Sequence, residues 1–94
     1  MRIINNPDFS KDLKDILKYI SNDKPTASKK FSKELKESIK NIPDNPYMYP
    51  ASQYFNNKDV RDMTYKKYTI VYQVMLERNT IEIMKIFNRN KPLR

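Results

Sequence analysis

The side chains that could do chemistry are concentrated in the last third of the sequence. Arginine and lysine stand at the ends and turns of residues 59–91, where they could contact a phosphate backbone or an acidic protein surface. A tyrosine in the same segment would need strong electrostatic help to act as a base, because its free pKa is near ~10. The cationic candidates are Arg61, Lys66, Lys67, Arg89 and Lys91.

The composition narrows the possible reactions. The 94 residues include 19 lysines and arginines and 11 acids, and the net charge of +8 favours an anionic partner such as nucleic acid or an acidic protein. There is no cysteine, which excludes disulfides and thiol nucleophiles, and no histidine, the commonest general acid–base and metal ligand. Glu77, Glu82 and Asp62 form no obvious paired site, so we expect neither a metal nor another cofactor.

The length predicts a single domain over residues 1–94. No run approaches the ~18 apolar residues of a membrane span, and the first ten residues lack the apolar core of a secretory signal. We therefore expect a cytoplasmic protein that does not bind membranes.

Two amphipathic helices precede the basic segment. Ile3 and Ile4 predict a brief strand, after which Asn6 can cap a helix of about residues 7–22 with Pro7 in its first position. Residues 21–25 interrupt the apolar pattern, which resumes at Ala27 and predicts a second helix ending at Ile42, before Pro43. The short linker predicts an antiparallel hairpin whose apolar stripe packs on the sheet of its own chain, with its charged sides solvated.

Three strands follow an ordered loop of residues 43–58, whose aromatic rings we expect to be packed beneath it. The predicted strands are Val60–Tyr65, Tyr68–Leu76 and Thr80–Asn88, joined by turns at Lys66-Lys67 and Arg78-Asn79. Asn79 can take the left-handed conformation that such a turn requires.

The middle strand is apolar on both faces, which predicts an interior position in the sheet. In the last strand simple alternation places Ile81, Ile83, Lys85, Phe87 and Arg89 on one side. The predicted fold class is α+β: a short amino-terminal strand and an antiparallel two-helix hairpin packed on a small, mainly antiparallel sheet, in the order β-α-α-β-β-β.

Several sequence segments resemble the RelE/ParE superfamily of bacterial type II toxins over nearly the full length. They are IINNPDF, IKNIPDNP, VRDM, YTIVYQV and IEIMKIFNR. The resemblance implies a small basic toxin neutralised by tight binding of a cognate antitoxin, whose carboxyl-terminal segment wraps over the helices and the sheet. A toxin–antitoxin hetero-oligomer is therefore expected.

The superfamily divides by target, and the residues distinguish the branches. RelE-like members cut messenger RNA in the ribosomal A site, whereas ParE-like members poison DNA gyrase. Alignment through YTIVYQV places the two RelE lysines at Val60 and Asp62 and the first RelE arginine at Thr69. Arg89 matches the second RelE arginine, but no tyrosine follows Tyr72 to match the carboxyl-terminal RelE tyrosine.

The ParE-like branch fits better. Arg61 stands where that pattern usually carries its strand arginine. Both predicted helices run about four turns, which is longer than is typical of RelE-like members and closer to ParE-like ones. We therefore expect a gyrase-poisoning toxin in which Arg61, Arg89, Lys66, Lys67 and Lys91 contact the target or the antitoxin as one basic patch. In the alternative structural role, Arg61 pairs with an acid such as Asp59.

Two other functions stay open. The chain could be a metal-free, ribosome-dependent endoribonuclease that uses Arg61, Arg89 and Tyr65, or a toxin-fold binding module without a target site.

Overall fold

The computed structural model describes residues 1–90 and has the predicted element order. Its regular elements are β1 (Arg2–Asn5), α1 (Pro7–Asp23), α2 (Pro25–Lys40), β2 (Val60–Tyr65), β3 (Tyr68–Met75) and β4 (Thr80–Asn88), with 3-10 turns at Ile42–Asp44 and Leu76–Arg78. In this part of the chain, neither helix is long and apolar enough to cross a membrane. The predicted α+β class is confirmed.

The sheet is mixed, in the order β1-β4-β3-β2. β1 lies parallel to β4, while β4, β3 and β2 are antiparallel to their neighbours. β3 is therefore an interior strand, as its two apolar faces predict. The parallel pairing requires a crossover between β1 and β4, and α1 and α2 lie within it.

The start of α1 is tied to the sheet by Asn6. The Oδ1 atom of Asn6 accepts a hydrogen bond from the Asp8 amide at 2.8 Å, and Pro7 occupies the first helical position. The Nδ2 atom of Asn6 donates to the carboxylate of Glu82 on β4, also at 2.8 Å. The predicted cap is confirmed, and the same side chain fixes the helix against β4.

The junction between the helices is shorter than predicted. Only Lys24 separates α1 from α2, and it is extended, with φ −141° and ψ 101°, as expected for a residue before proline. Ser28 Oγ donates to the Leu17 carbonyl oxygen at 2.9 Å and links the two helices. The polar residues 21–23 continue α1, because helix propensity is a weak signal that the packing of the rest of the helix overrides.

The prediction that the second helix runs to Ile42 is wrong. The α-helix ends at Lys40, and Ile42–Asp44 form a 3-10 turn that contains Pro43. Proline disfavours the α conformation of the preceding residue, so the chain tightens before Pro43. Ile42 still packs in the core, which explains why its apolar character resembled one more helical position.

The main core lies between the helix hairpin and one face of the sheet, which we call the helix face. Its buried members are Phe9, Phe31, Leu35, Ile39, Ile42, Met63, Tyr68, Ile70, Tyr72, Val74, Ile81, Ile83 and Ile86. The apolar stripes of α1 and α2 are thus covered by the sheet of the same chain, as predicted.

The predicted alternation of β4 is wrong beyond Ile83. Val71 pairs with Lys85, but the next residue, Tyr72, pairs with Ile83, so Met84 is an extra residue in β4. This β-bulge lets both Ile83 and Ile86 reach the helix face, three positions apart. Phe87 is therefore on the opposite face.

The two hairpin loops differ from each other. Lys66-Lys67 forms the predicted two-residue turn, and Lys66 has an unforeseen positive φ of 53°. The second loop is longer than predicted, because β3 ends at Met75 and a 3-10 turn at Leu76–Arg78 precedes Asn79. Asn79 has φ 48°, which confirms its left-handed conformation.

Candidate functional site

The three positions that would carry a RelE-like cationic centre are buried. Val60 is 3 % exposed, Asp62 7 % and Thr69 3 %. Asp62 pairs with Val71, and Thr69 with Phe87, so these side chains share the face of the sheet that points away from the helices. A catalytic cation at these positions would have to be desolvated and would not reach an RNA phosphate.

The loop of residues 50–55 closes this second face. Ser52 donates its amide hydrogen to the Val60 carbonyl at 2.8 Å, and the Asp62 amide donates to the Pro50 carbonyl at 3.1 Å. The ring of Tyr54 meets Phe87 edge to face, with centroids 5.0 Å apart. The loop therefore pairs with the edge of β2 and also covers the sheet.

Asp62 is the polar group at the centre of this closure. Its Oδ2 atom accepts a hydrogen bond from the Gln53 amide at 3.0 Å. Its Oδ1 atom is buried and has no hydrogen-bond partner among residues 1–90. The carboxylate thus anchors the loop through one oxygen.

Tyr65, the candidate for proton transfer, is held in its neutral form. Its hydroxyl donates to the Glu34 carboxylate of α2 at 2.5 Å, and its ring meets Phe31 edge to face at 5.1 Å. Burial and the hydrogen bond to Glu34 raise the pKa of Tyr65 to about 12, and the same hydrogen bond lowers the pKa of Glu34. A phenol in this environment is a poor general base at neutral pH.

Arg61 joins the loops at the start of β2. Its Nε atom donates to the Lys58 carbonyl and its Nη1 atom to the Tyr49 carbonyl, both at 3.0 Å. The guanidinium lies 4.9 Å from the centroid of the Tyr47 ring. Asp59, the predicted structural partner of Arg61, instead accepts a hydrogen bond from the Tyr47 hydroxyl at 2.8 Å.

Two of the loop aromatics, Tyr49 and Tyr54, are packed as expected, whereas Tyr47 is exposed. Tyr49 packs against the core and meets Tyr72 edge to face at 6.4 Å. The Tyr72 hydroxyl donates to the Pro46 carbonyl at 2.6 Å, and burial raises the pKa of Tyr72 to about 12. Arg61 and these tyrosines together hold residues 46–50 against the end of the sheet.

The predicted cationic residues separate into two locations. Arg89 donates from Nη2 to the Lys66 carbonyl and from its amide to the Lys67 carbonyl, both at 2.8 Å. We call these three exposed residues the basic turn. Arg61 lies at the other end of β2, about 17 Å away, because five residues of a strand span about 3.3 Å each. Lys91 lies outside the described residues.

The basic turn borders grooves that sequence reasoning missed. Lys67 and Tyr19 of α1 line three neighbouring grooves, of about 530, 360 and 600 Å³. The first is completed by Asp12, Asp15, Ile16, Tyr68, Ile86, Phe87 and Asn88. Tyr19 is 72 % exposed. Its position off the apolar stripe of α1 was the available signal, since an aromatic ring on the polar side of a helix is unusual.

The arrangement at this end of the molecule suits binding. It combines an exposed aromatic ring, an apolar floor at Tyr68 and Ile86, and rim charges of both signs at Lys67 and Asp15. Such a mixture is typical of a protein contact surface. Among residues 1–90 there is no group of three or more His, Cys, Asp or Glu side chains that could hold a metal ion.

Comparisons with known proteins bear on the family and the fold. A family model described as the ParE toxin of a type II toxin-antitoxin system, parDE, matches residues 3–92. The chain is similar in fold to a solved structure described as "Chromosomal ParDE TA system from P. aeruginosa", with a TM-score of 0.73 and 19 % sequence identity. The match covers 94 % of this chain and 95 % of that one. No curated protein matches the sequence at a significant level.

Proposed function

The chain belongs to the ParE family of toxins of type II toxin-antitoxin systems, and we propose that it poisons DNA gyrase and is neutralised by a cognate antitoxin in the cytoplasm. The observation that carries the choice of gyrase over messenger RNA is the burial of Val60, Asp62 and Thr69. These positions would supply the cations of a ribonuclease centre, yet they lie beneath a loop and carry no positive charge.

The proposed contact surface for gyrase is the basic turn together with the grooves around Tyr19. Lys66, Lys67 and Arg89 are exposed, and the hydrogen bonds from Arg89 to the turn carbonyls order the backbone that presents the lysines. A preordered surface loses less conformational entropy on binding, which supports its use against a large target. Arg61 lies at the other end of β2, where it is already bonded to two carbonyl oxygens, and is therefore not part of this surface.

The proposed antitoxin partner follows from the family and from the charge. A toxin with a net charge of +8 is complementary to an acidic antitoxin segment. A partner that binds the folded but not the unfolded toxin would stabilise the fold by RT ln(1 + [L]/Kd), where [L] is the concentration of free partner. A toxin–antitoxin hetero-oligomer is therefore the expected resting form.

A supercoiling assay tests the gyrase proposal. Purified toxin is incubated with gyrase, ATP and relaxed plasmid, and we expect loss of supercoiling together with trapped cleavage complexes. The variant Lys66→Gln/Lys67→Gln should inhibit more weakly, while Lys58→Gln/Arg78→Gln, which has the same net charge and lies outside this surface, should inhibit like the wild type. Unchanged supercoiling at excess wild-type toxin, with no cleavage complexes, would overturn the proposal.

Arg89 also fits a competing function, that of a ribosome-dependent endoribonuclease. An exposed arginine at this position is also expected of a ribosome-dependent endoribonuclease. Toeprinting of a translated message distinguishes the two, because a nuclease would produce new cuts in the ribosomal A site and a gyrase poison would not. Absence of any growth defect on expression without antitoxin would instead indicate a binding module without a target site.

A further inference from the structure

Seven lysines form the outer surface of the helix hairpin. They are Lys11, Lys14 and Lys18 on α1 and Lys29, Lys33, Lys36 and Lys40 on α2. All seven are exposed. We call this set the lysine face. The basic turn is a separate cluster, formed by the β2–β3 loop and Arg89.

The buried phenylalanines define the direction of the lysine face. Phe9 and Phe31 are both in the core, and in each helix lysines follow the phenylalanine at positions +2, +5 and +9. At 3.6 residues per turn, these positions lie roughly 140° to 200° around the helix from the phenylalanine. Both rows of lysines therefore lie on the side of each helix opposite its buried phenylalanine, and Lys36 and Lys40 also border a groove beside Ile3 and Asn5 of β1.

Carboxylates of the two helices are placed on the flanks. Asp12 and Asp15 line the groove beside Lys67, and Glu34 accepts the hydrogen bond from Tyr65. Lys30 also lies on the flank, where its charge acts on Glu34. The charges of the hairpin are thus sorted by side.

Charge pairs within the helices do not account for the whole row of lysines, although Lys11–Asp15 and Lys33–Glu37 are favourable pairs four residues apart. Lys14 and Lys18 are four residues apart, as are Lys29 and Lys33, and like charges at this spacing destabilise a helix. Alternating positive and negative charges would also keep the hairpin soluble, with less repulsion between side chains of the same helix. A concentrated row of cations is therefore better explained by an anionic partner.

The dimensions and chemistry of the lysine face favour duplex DNA. Lys29 and Lys40 are about 16 Å apart along α2, and packed helix axes lie about 8–10 Å apart, so the lysines form a rigid two-row array. Duplex DNA presents a similarly rigid array, with one negative charge per ~1.7 Å of its axis. Single-stranded nucleic acid is usually bound with aromatic stacking, but Phe9 and Phe31 are buried, and Tyr19 lies in the flanking grooves.

We propose that the lysine face binds the phosphate backbone of duplex DNA without base specificity. The binding uses helix lysines alone and does not depend on gyrase as the target. It would hold the toxin on DNA while the basic turn, on the sheet, stays available to a protein.

Fluorescence anisotropy with the full chain and a short labelled duplex of mixed sequence tests this. The variant Lys33→Gln/Lys36→Gln/Lys40→Gln removes three charges from the lysine face, and Lys24→Gln/Lys30→Gln/Lys58→Gln removes three charges elsewhere. Each lost phosphate contact lowers the slope of log K against log salt by about one, so the first variant should lose about three units of slope and at least about tenfold in affinity. The control should keep the wild-type slope.

Three outcomes would overturn the proposal. They are no measurable duplex binding by the wild type, equal losses in the two variants, and displacement of DNA by polyglutamate at equal charge concentration. Tighter binding to a single strand than to the duplex would also contradict it. Glutamine is a good helix former, so circular dichroism should confirm that both variants remain helical. Each of these results leaves the supercoiling assay unaffected.

Discussion

Arg89 donates a hydrogen bond from Nη2 to the carbonyl oxygen of Lys66 at 2.8 Å. Lys66 is a non-glycine residue with φ 53°, a conformation that is disfavoured for residues with a β-carbon. The Arg89 amide binds the Lys67 carbonyl of the same turn. Arg89 therefore orders the backbone of two lysines that are themselves candidates for target contact.

Replacement of Arg89 by lysine tests this positioning role. The positive charge is kept, but a lysine ammonium does not reproduce the planar guanidinium contact with the Lys66 carbonyl. We expect about tenfold weaker inhibition of gyrase, which corresponds to the loss of one hydrogen bond from a charged donor. Arg78→Lys, in the other hairpin loop, is the control and should behave like the wild type. Equal inhibition by Arg89→Lys and wild type would mean that charge alone matters.

Glycine at position 66 should stabilise the fold. The left-handed conformation costs a residue with a β-carbon roughly 1–2 kcal/mol, and glycine avoids most of this at some cost in chain entropy. We expect Lys66→Gly to raise the free energy of unfolding by about 0.5–1 kcal/mol in urea denaturation. Asn79→Gly should change it less, because asparagine tolerates φ 48°. A destabilised Lys66→Gly variant would show that the lysine side chain stabilises the turn.

A lysine at position 62 tests whether the nuclease site could be restored. Asp62 is buried beneath the loop of residues 50–55, and a lysine ammonium in its place would lose its hydration. We expect Asp62→Lys to lower the free energy of unfolding by at least about 3 kcal/mol. Thr64→Lys, two residues along the same strand and face but exposed, is the matched control and should cost little. Similar stabilities of the two variants would contradict the closure of this face.

The stability of the toxin should fall at high pH because of Tyr72. Burial raises the pKa of Tyr72 from 10.0 to about 12, so folding favours the neutral phenol. This contribution is fully present below pH 10 and is lost as the pH rises through about 12. Tyr72→Phe lacks the hydrogen bond to Pro46 and should be less stable at neutral pH, yet its unfolding free energy should fall less steeply over that range.

Arg61 allows its structural role to be separated from target contact. Arg61→Gln removes two hydrogen bonds to loop carbonyls and the contact with Tyr47, and we expect it to lower the free energy of unfolding by about 2 kcal/mol. At a temperature where the variant is folded, gyrase inhibition should match that of Arg2→Gln, an exposed arginine on β1. Loss of inhibition by a fully folded Arg61→Gln variant would instead support direct contact.

Local features of this fold could be predicted from the sequence because neighbouring residues determine them. Asn6 caps α1 through an amide two residues away, and Pro7 needs no amide hydrogen at the first helical position. The bounds of β2 and β4 follow from β-branched and aromatic runs between polar turns. The absence of the two RelE lysines could also be predicted from the sequence. The aligned positions are Val60 and Asp62, and neither side chain is a cation.

The tertiary structure alone decided which candidates meet. Met84 is bulged out of register because β4 must pair with β3 and also present Ile83 and Ile86 to the helices. The hydrogen bond between Tyr65 and Glu34, which are 31 residues apart in sequence, forms only when α2 packs across the sheet. The separation of Arg61 from Arg89 depends on the order and direction of strands that are distant in sequence. Local propensities do not encode such register and crossing geometry, which arises when the whole core packs at once.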